Sequence, residues 1–450
     1  MYEHSARMTE GPAWKHILRF AVPLFWGNLF QQLYNVVDSL IVGNFLGSDA
    51  LAAVSSSGNL LFLMTGFFTG IFAGTSVVIS RYFGAKDSKN LSLAVHTTAA
   101  FGLAAGALVT LIGTLLAPQM LVWMGTPESV LPNSLKYFQT YFSGAVFVVL
   151  YNTATSVFQA VGDSRHPLYY LIISSVINVV LDLLFVGPVG MGVEGAALAT
   201  VLSQAVSAAL AFYKLTHTTG EYRLWPRKIR FHGHMLKQIL TMGLPSGLQN
   251  SIIAFANVIV QSSINLYGAM AMAGCGSYAK LEGFAFLPIN CFTMALATFV
   301  GQNLGAREYD RARRGARFGI LTCMVLAETV AVLFRIFAPQ LISLFNSDPQ
   351  VVGYGVLQAH TITLFYFLLA FSHAVAAVLR GAGRAIVPML VMLVCWCIIR
   401  VSYIVLIARS SGNIQMIFWA YPLTWTLSSI AFAIYYFKAD WPHYLERKKP

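Results

Sequence analysis

Apolar side chains fill this chain in long blocks, and polar and turn-forming residues gather in the gaps between them. Asn90 to Pro127, Gln238 to Ala279 and Pro349 to Leu379 contain no Asp, Glu, Lys or Arg. A helix that crosses a bilayer needs about 20 apolar residues, so the second stretch holds two crossings. The pattern predicts twelve spans, at about 16–43, 51–79, 91–118, 133–160, 167–187, 194–215, 238–267, 273–301, 316–338, 351–379, 385–408 and 413–437. The gaps hold Gly47-Ser48-Asp49, Thr126-Pro127-Glu128, Gly187-Pro188 and Ser347-Asp348-Pro349, all turn signals. A soluble protein would need a polar face on each helix, and these blocks lack one.

Composition agrees. The 450 residues are 57% hydrophobic and 10% charged, where soluble domains run nearer a quarter charged. Cys275, Cys291, Cys323, Cys395 and Cys397 lie in apolar segments without metal-ligand spacing, and read as small packing residues. No small-residue cleavage site follows a short apolar core near the start, so the first block reads as a retained span.

The net charge of +12 would suit nucleic acid, but its placement does not. With both termini cytoplasmic, 24 of the 29 Lys and Arg fall in inside segments. Lys136, Lys280, Arg335, Arg400 and Arg409 are the other five, and the bias follows the positive-inside rule. The basic run Arg223 to Arg230 is then a cytoplasmic linker suited to anionic lipid headgroups.

The chain also repeats itself. Gly84-Ala85-Lys86 recurs as Gly305-Ala306-Arg307, Ala117-Pro118-Gln119 as Ala338-Pro339-Gln340, and Gly162 with Pro167 as Gly383 with Pro388, each 221 residues on. Pro23 and Pro245 are 222 apart. Six spans return the chain to its starting side, so the repeat is parallel. The expected fold is an all-α polytopic membrane protein of twelve transmembrane helices, in two six-helix bundles around a central cavity. The expected organisation is an N-lobe over 1–213, a basic linker over 214–237, a C-lobe over 238–438 and a cytoplasmic tail over 439–450.

Several segments resemble the multidrug and toxic compound extrusion (MATE) family. They are Pro23 to Asn28 with Val37 to Gly43, the twin loops Arg81 to Asp87 and Gly301 to Arg307, Gln159 to Asp163 before Pro167, and Gly192 to Thr200. Each is weak alone; their order and spacing are specific, and they cover nearly the whole chain. No basic GxxxDxxGRR-type loop of the major facilitator class follows span 2.

Ionisable groups inside spans are costly, so each is a functional candidate. Asn28, Gln31, Asn35 and Asp38 fall on one helical face of span 1, with Tyr34 one turn before Asp38. Such a stripe must face protein or a watery cavity. Ser174, Asn178 and Asp182 align on span 5, and Thr200 enters from span 6. Carboxylate, amide and hydroxyl oxygens suit a hard cation, and a buried carboxylate equally suits a proton. The competing reading is a hydrogen-bonded brace between helices. The resemblance implies that Asp38 is a coupling carboxylate, that Asp38, Asn178, Asp182 and Thr200 surround an N-lobe cation site, holding Na+ if coupling is to sodium, and that Pro23 bends span 1.

Glu282 on span 8 has Tyr278 and Phe286 as helical neighbours, and an acid beside aromatics suits a lipophilic cation. Its structural alternative is an ion pair or a snorkelling group. Glu328 is expected to pair with Arg335 or Arg400. Span 7 carries Asn250, Asn257, Gln261 and Asn265, and span 10 carries His360 and His373, but neither holds an acid. This lacks the acids that some family members use for a C-lobe sodium site. The substrate-cavity candidates are Gln31, Tyr34, Asn35, Asn257, Gln261 and Glu282.

The resulting expectation is a secondary antiporter in the cell membrane. It exports amphiphilic, cationic organic compounds by alternating access, driven by inward Na+ or H+, with no other cofactor. Its partners are small organic cations or drugs and membrane lipids, with no nucleic acid and no obligate protein. The alternative is a lipid or lipid-linked oligosaccharide flippase of the same superfamily, which would need a cationic cavity. No Walker loop, HExxH or Ser–His–Asp pattern marks an enzyme.

Overall fold

Backbone amides in lipid must be satisfied within their own segment, and this chain answers with helices alone. The computed structural model describes residues 7–46, 48–123 and 131–444, and among these there is no strand. Six helical segments precede the linker: α1 (Ala13–Leu46), α2 (Ser48–Gly84), α3 (Ser88–Trp123), α4 (Leu131–Ser143 and Ala145–Ala160), α5 (Arg165–Val186) and α6 (Val193–His217). Six long ones follow it: α7 (Gly233–Asn265), α8 (Ala269–Gly305), α9 (Tyr309–Ile336), α10 (Pro349–Gly381), α11 (Ile386–Ser411) and α12 (Ile414–Lys438), with a six-residue helix, Ala338–Ser343, between α9 and α10. The twelve match the predicted spans one for one, and the chain is an all-α polytopic membrane protein. The predicted turn Thr126-Pro127-Glu128, Gly47 and the tail from residue 445 lie outside the described residues.

Among the described residues, eight helices are long and apolar enough to cross a membrane, and the bent α4 makes a ninth. The polar residues of α1 and α7 lower the apolarity of these two helices. Large apolar side chains such as Leu115, Leu406 and Phe437 stand out from the helices, as lipid-facing groups do.

The 221-residue repeat is visible in the backbone. Lys86 and Arg307 both take positive φ, at 57° and 62°, and Gly162 and Gly383 both take 84°. Each closes a helix in the same way. Asp87 N donates to Tyr82 O at 3.1 Å and Glu308 N to Asn303 O at 2.8 Å; Asp163 N donates to Phe158 O at 2.9 Å and Arg384 N to Leu379 O at 2.8 Å. The fourth helix of each half also breaks at the same place. Gly144 sits at φ −107°, ψ 8° and Phe365 at φ −113°, ψ 9°. A break frees an N–H, and the preceding helix captures it. Val146 N donates to Thr110 Oγ1 at 3.0 Å, and Phe367 N to Glu328 Oε2 at 2.9 Å.

This arrangement corrects the expected role of Glu328. Its carboxylate caps the restart of α10 and does not pair with Arg335 or Arg400. Arg335 instead donates to the His360 carbonyl, and Arg400 is bound by Thr424 and Asn257.

The chain divides into two compact units: Met1–Arg7 with Trp26–Thr241, and Met8–Phe25 with Met242–Pro450. In the first, Ile41 and Val42 of α1 pack with Tyr137, Val186, Val193 and Ala196. In the second, Ile17, Phe20, Ala21 and Leu24 of α1 enter a core with α7 to α12. The α1 helix runs on through Pro23, whose ring supplies no N–H to the ladder. The N-terminal segment is bound to the second unit. Met8 N donates to Gln302 Oε1 at 2.8 Å, and Arg311 donates to the carbonyls of Met8, Glu10 and Gly11.

The linker folds back on the first unit. Leu224 N donates to Leu215 O at 2.9 Å, Trp225 N to His96 Nε2 at 3.0 Å, and the Arg223 guanidinium lies 4.0 Å from the Trp225 ring.

Candidate functional site

The first unit gathers its buried polar groups where α1, α4, α5 and α6 meet. The four-residue spacing of Ser174, Asn178 and Asp182 turns all three to one face of α5, and each is buried. Asp182 is 0% exposed. Asp38 comes down from α1, and the carboxyl groups of Asp38 and Asp182 lie within hydrogen-bonding reach of each other. The Oδ1 atoms of both are buried and have no donor.

Asn178 and Thr200 complete the frame. With its amide oriented to satisfy both ends, Asn178 donates to Asp182 Oδ2 at 2.7 Å and accepts from Thr200 N at 3.1 Å. Thr200 Oγ1 donates to Ala196 O at 3.1 Å, and Tyr34 hydrogen-bonds with the same hydroxyl. The four residues named as a cation site, with Tyr34, thus converge from three helices. Asn178 orients Asp182, while Asp38, Asp182, Thr200 and Tyr34 supply the oxygens.

Two residues escaped the sequence reading. Tyr137 and Tyr141 of α4 are stacked at 6.4 Å, and Tyr137 interacts electrostatically with Asp38, Asp182 and Tyr34. Their signal is the four-residue spacing, but a pair of aromatics in an apolar helix is common packing.

The remaining candidates scatter. Gln31 and Asn35 are exposed on α1. On α7, Gln261 donates to Asn265 Oδ1 at 2.9 Å, and Asn257 accepts from Arg400. Glu282 Oε1 accepts from Tyr366 Oη at 2.9 Å, and Tyr366 Oη meets Tyr278 Oη at 2.7 Å. Glu282 is therefore held in a hydroxyl chain, with Lys280 turned away over Phe345. His373 lies edge-on to Phe286 and Trp396, and its Nε2 is buried without a partner.

A helical chain of this apolarity, doubled internally and carrying two adjacent carboxyl groups inside its first bundle, has the architecture of a membrane transporter. The MatE family pattern matches residues 23–184 and 245–406, two copies that begin 222 residues apart. The chain belongs to the MatE family of multidrug efflux transporters, and it is an integral membrane protein of a transporter class, not an enzyme class. The probable multidrug resistance protein YoeA of Bacillus subtilis is 32% identical over 383 residues, covering 83% of this chain and 82% of its own. YpnP of the same organism, also a probable multidrug resistance protein, is 29% identical over 436 residues, covering 96% and 97%. The fold matches an outward-facing multidrug resistance MATE family transporter of the MOP superfamily with a TM-score of 0.89, at 22% identity over 97% of both chains.

Proposed function

We propose that the protein is a cation-coupled antiporter of the cell membrane, with both termini cytoplasmic. It exports amphiphilic, cationic organic compounds by alternating access, and inward Na+ or H+ drives the cycle. The contact between Asp38 and Asp182 carries this reading. Two carboxylates in contact inside a helix bundle repel unless a positive charge lies between them. One proton supplies it, and so does one Na+ held by the free Oδ1 atoms with Thr200 and Tyr34.

The coupling follows from this charge. With the cation bound, α1 and α5 are drawn together through Asp38 and Asp182. With it gone, repulsion drives them apart. Cargo that favours the separated arrangement lowers cation affinity, and the cation lowers cargo affinity by the same factor. The names of YoeA and YpnP support a cargo of drug-like small molecules.

The test is efflux of a fluorescent organic cation from liposomes under a Na+ gradient or a pH gradient, imposed separately. One gradient should drive efflux, and Asp38→Asn should abolish it while the fold persists. Asp182→Asn should raise the ion concentration for half-maximal transport. Full efflux by Asp38→Asn refutes the coupling role. If neither gradient works, yet labelled lipid crosses the bilayer, the flippase reading replaces this one.

A further inference from the structure

The second unit buries a cation that, among the described residues, no acid meets in an ion pair. Arg400 on α11 is 1% exposed. Its Nε and Nη2 donate to Thr424 Oγ1 at 3.2 and 2.9 Å, and Nη1 donates to Asn257 Oδ1 at 3.4 Å. The rings of Trp396 and Tyr421 stand 5.2 and 4.7 Å from its Cζ. Among the described residues no Asp or Glu forms an ion pair with it. Glu282 is near enough to act on it electrostatically but makes no ion pair with it, and its Oε1 accepts from Tyr366.

Neutral acceptors and aromatic faces offset only part of the cost of a buried guanidinium. A structural arginine would be better served by a carboxylate. The fork has five N–H donors, and the three bonds above leave two unused. The backbone is also unusual here. The α11 segment is π-helical over Leu393–Ile399 and again over Ile404–Ala408, on both sides of Arg400. Such turns are rare and frequently mark functional sites.

Asn257 is the replaceable partner. It is exposed on α7, and its bond to Arg400 is at the long limit. A planar oxyanion in place of that amide would meet the guanidinium in two parallel bonds, which an amide oxygen cannot do.

We propose that Arg400 binds an oxyanion, carboxylate or phosphate, of the transported molecule, which displaces the Asn257 amide. The cargo is then an amphiphile that carries an acidic group beside its positive charge. Trp396 and Tyr421 flank the site for its apolar body. This deepens the transport reading above and rests on it.

The test compares three probes in liposomes bearing the purified protein: a permanently cationic dye without an acid, a dye of similar body bearing both amine and carboxylate, and a labelled phosphate-bearing lipid. The variants are Arg400→Gln, Arg400→Lys and Asn257→Asp. Asn257→Asp sets a carboxylate where the amide oxygen sits, so it occupies Arg400 from within and adds a partner to a buried charge. The ratio of zwitterionic to cationic dye efflux should fall at least tenfold in Asn257→Asp and in Arg400→Gln, and less in Arg400→Lys. Quenching of protein tryptophan fluorescence by the zwitterionic dye should weaken in the same order. If only the lipid probe depends on Arg400, the oxyanion belongs to lipid. A ratio within twofold of the parent in Asn257→Asp, with lipid movement also unchanged, overturns the proposal. If the parent protein moves no probe at all, the transport reading fails, and the quenching series still decides whether Arg400 binds the carboxylate.

Discussion

Thr200 shows how a single side chain works in the candidate site. Its hydroxyl donates to its own helix and also meets Tyr34, so it ties α6 to α1 beside the two carboxyls. Thr200→Val keeps the shape and removes the hydroxyl. With about 1 kcal/mol per net hydrogen bond, half-saturation by the coupling ion should shift roughly fivefold. Titrating gradient-driven efflux against ion concentration checks this, and an unshifted curve removes Thr200 from the site. Asn178 and Asp182 were legible because a four-residue spacing on an apolar helix admits one face only. Tyr137 and Tyr141 were not, because nothing in the order of residues says which side chains of α4 face α1.

At the scale of elements, the two halves use matched devices with different residues. The break in α4 falls at a glycine and its counterpart in α10 at Phe365. No turn residue marks the second break, so it was invisible until Glu328 was seen holding the Phe367 amide. Glu328→Ala strands that amide and should cost about 1–3 kcal/mol. Thr110→Val should have the same effect on α4, through Val146. Thermal unfolding in detergent measures both, and an unchanged midpoint for Glu328→Ala would return Glu328 to the functional candidates. Gly162→Ala and Gly383→Ala force a Cβ into the left-handed region and should each lose about 1–2 kcal/mol. The two sites lie in different units, so the double variant should show the sum of the single losses.

At the scale of the molecule, sequence order and spatial grouping part company at α1. The expected N-lobe began at the first residue, whereas Met8–Phe25 groups with the second unit. Arg311 explains much of this, since it binds three carbonyls of the N-terminal segment. Arg311→Ala should leave that segment open to trypsin and speed its cleavage several-fold, read by loss of an N-terminal tag; an unchanged rate would show that the Met8 contacts with Gln302 and Asn303 suffice. The sequence alone determined the class, the twelve spans and the repeat, because apolar length, turn residues and a constant offset are properties of order along the chain. The tertiary structure decided which polar groups meet. Asp38 lies within hydrogen-bonding reach of Asp182, and Arg400 has no ion-pair partner among the described residues, because helices far apart in sequence pack side by side, and their faces are chosen by packing rather than by spacing.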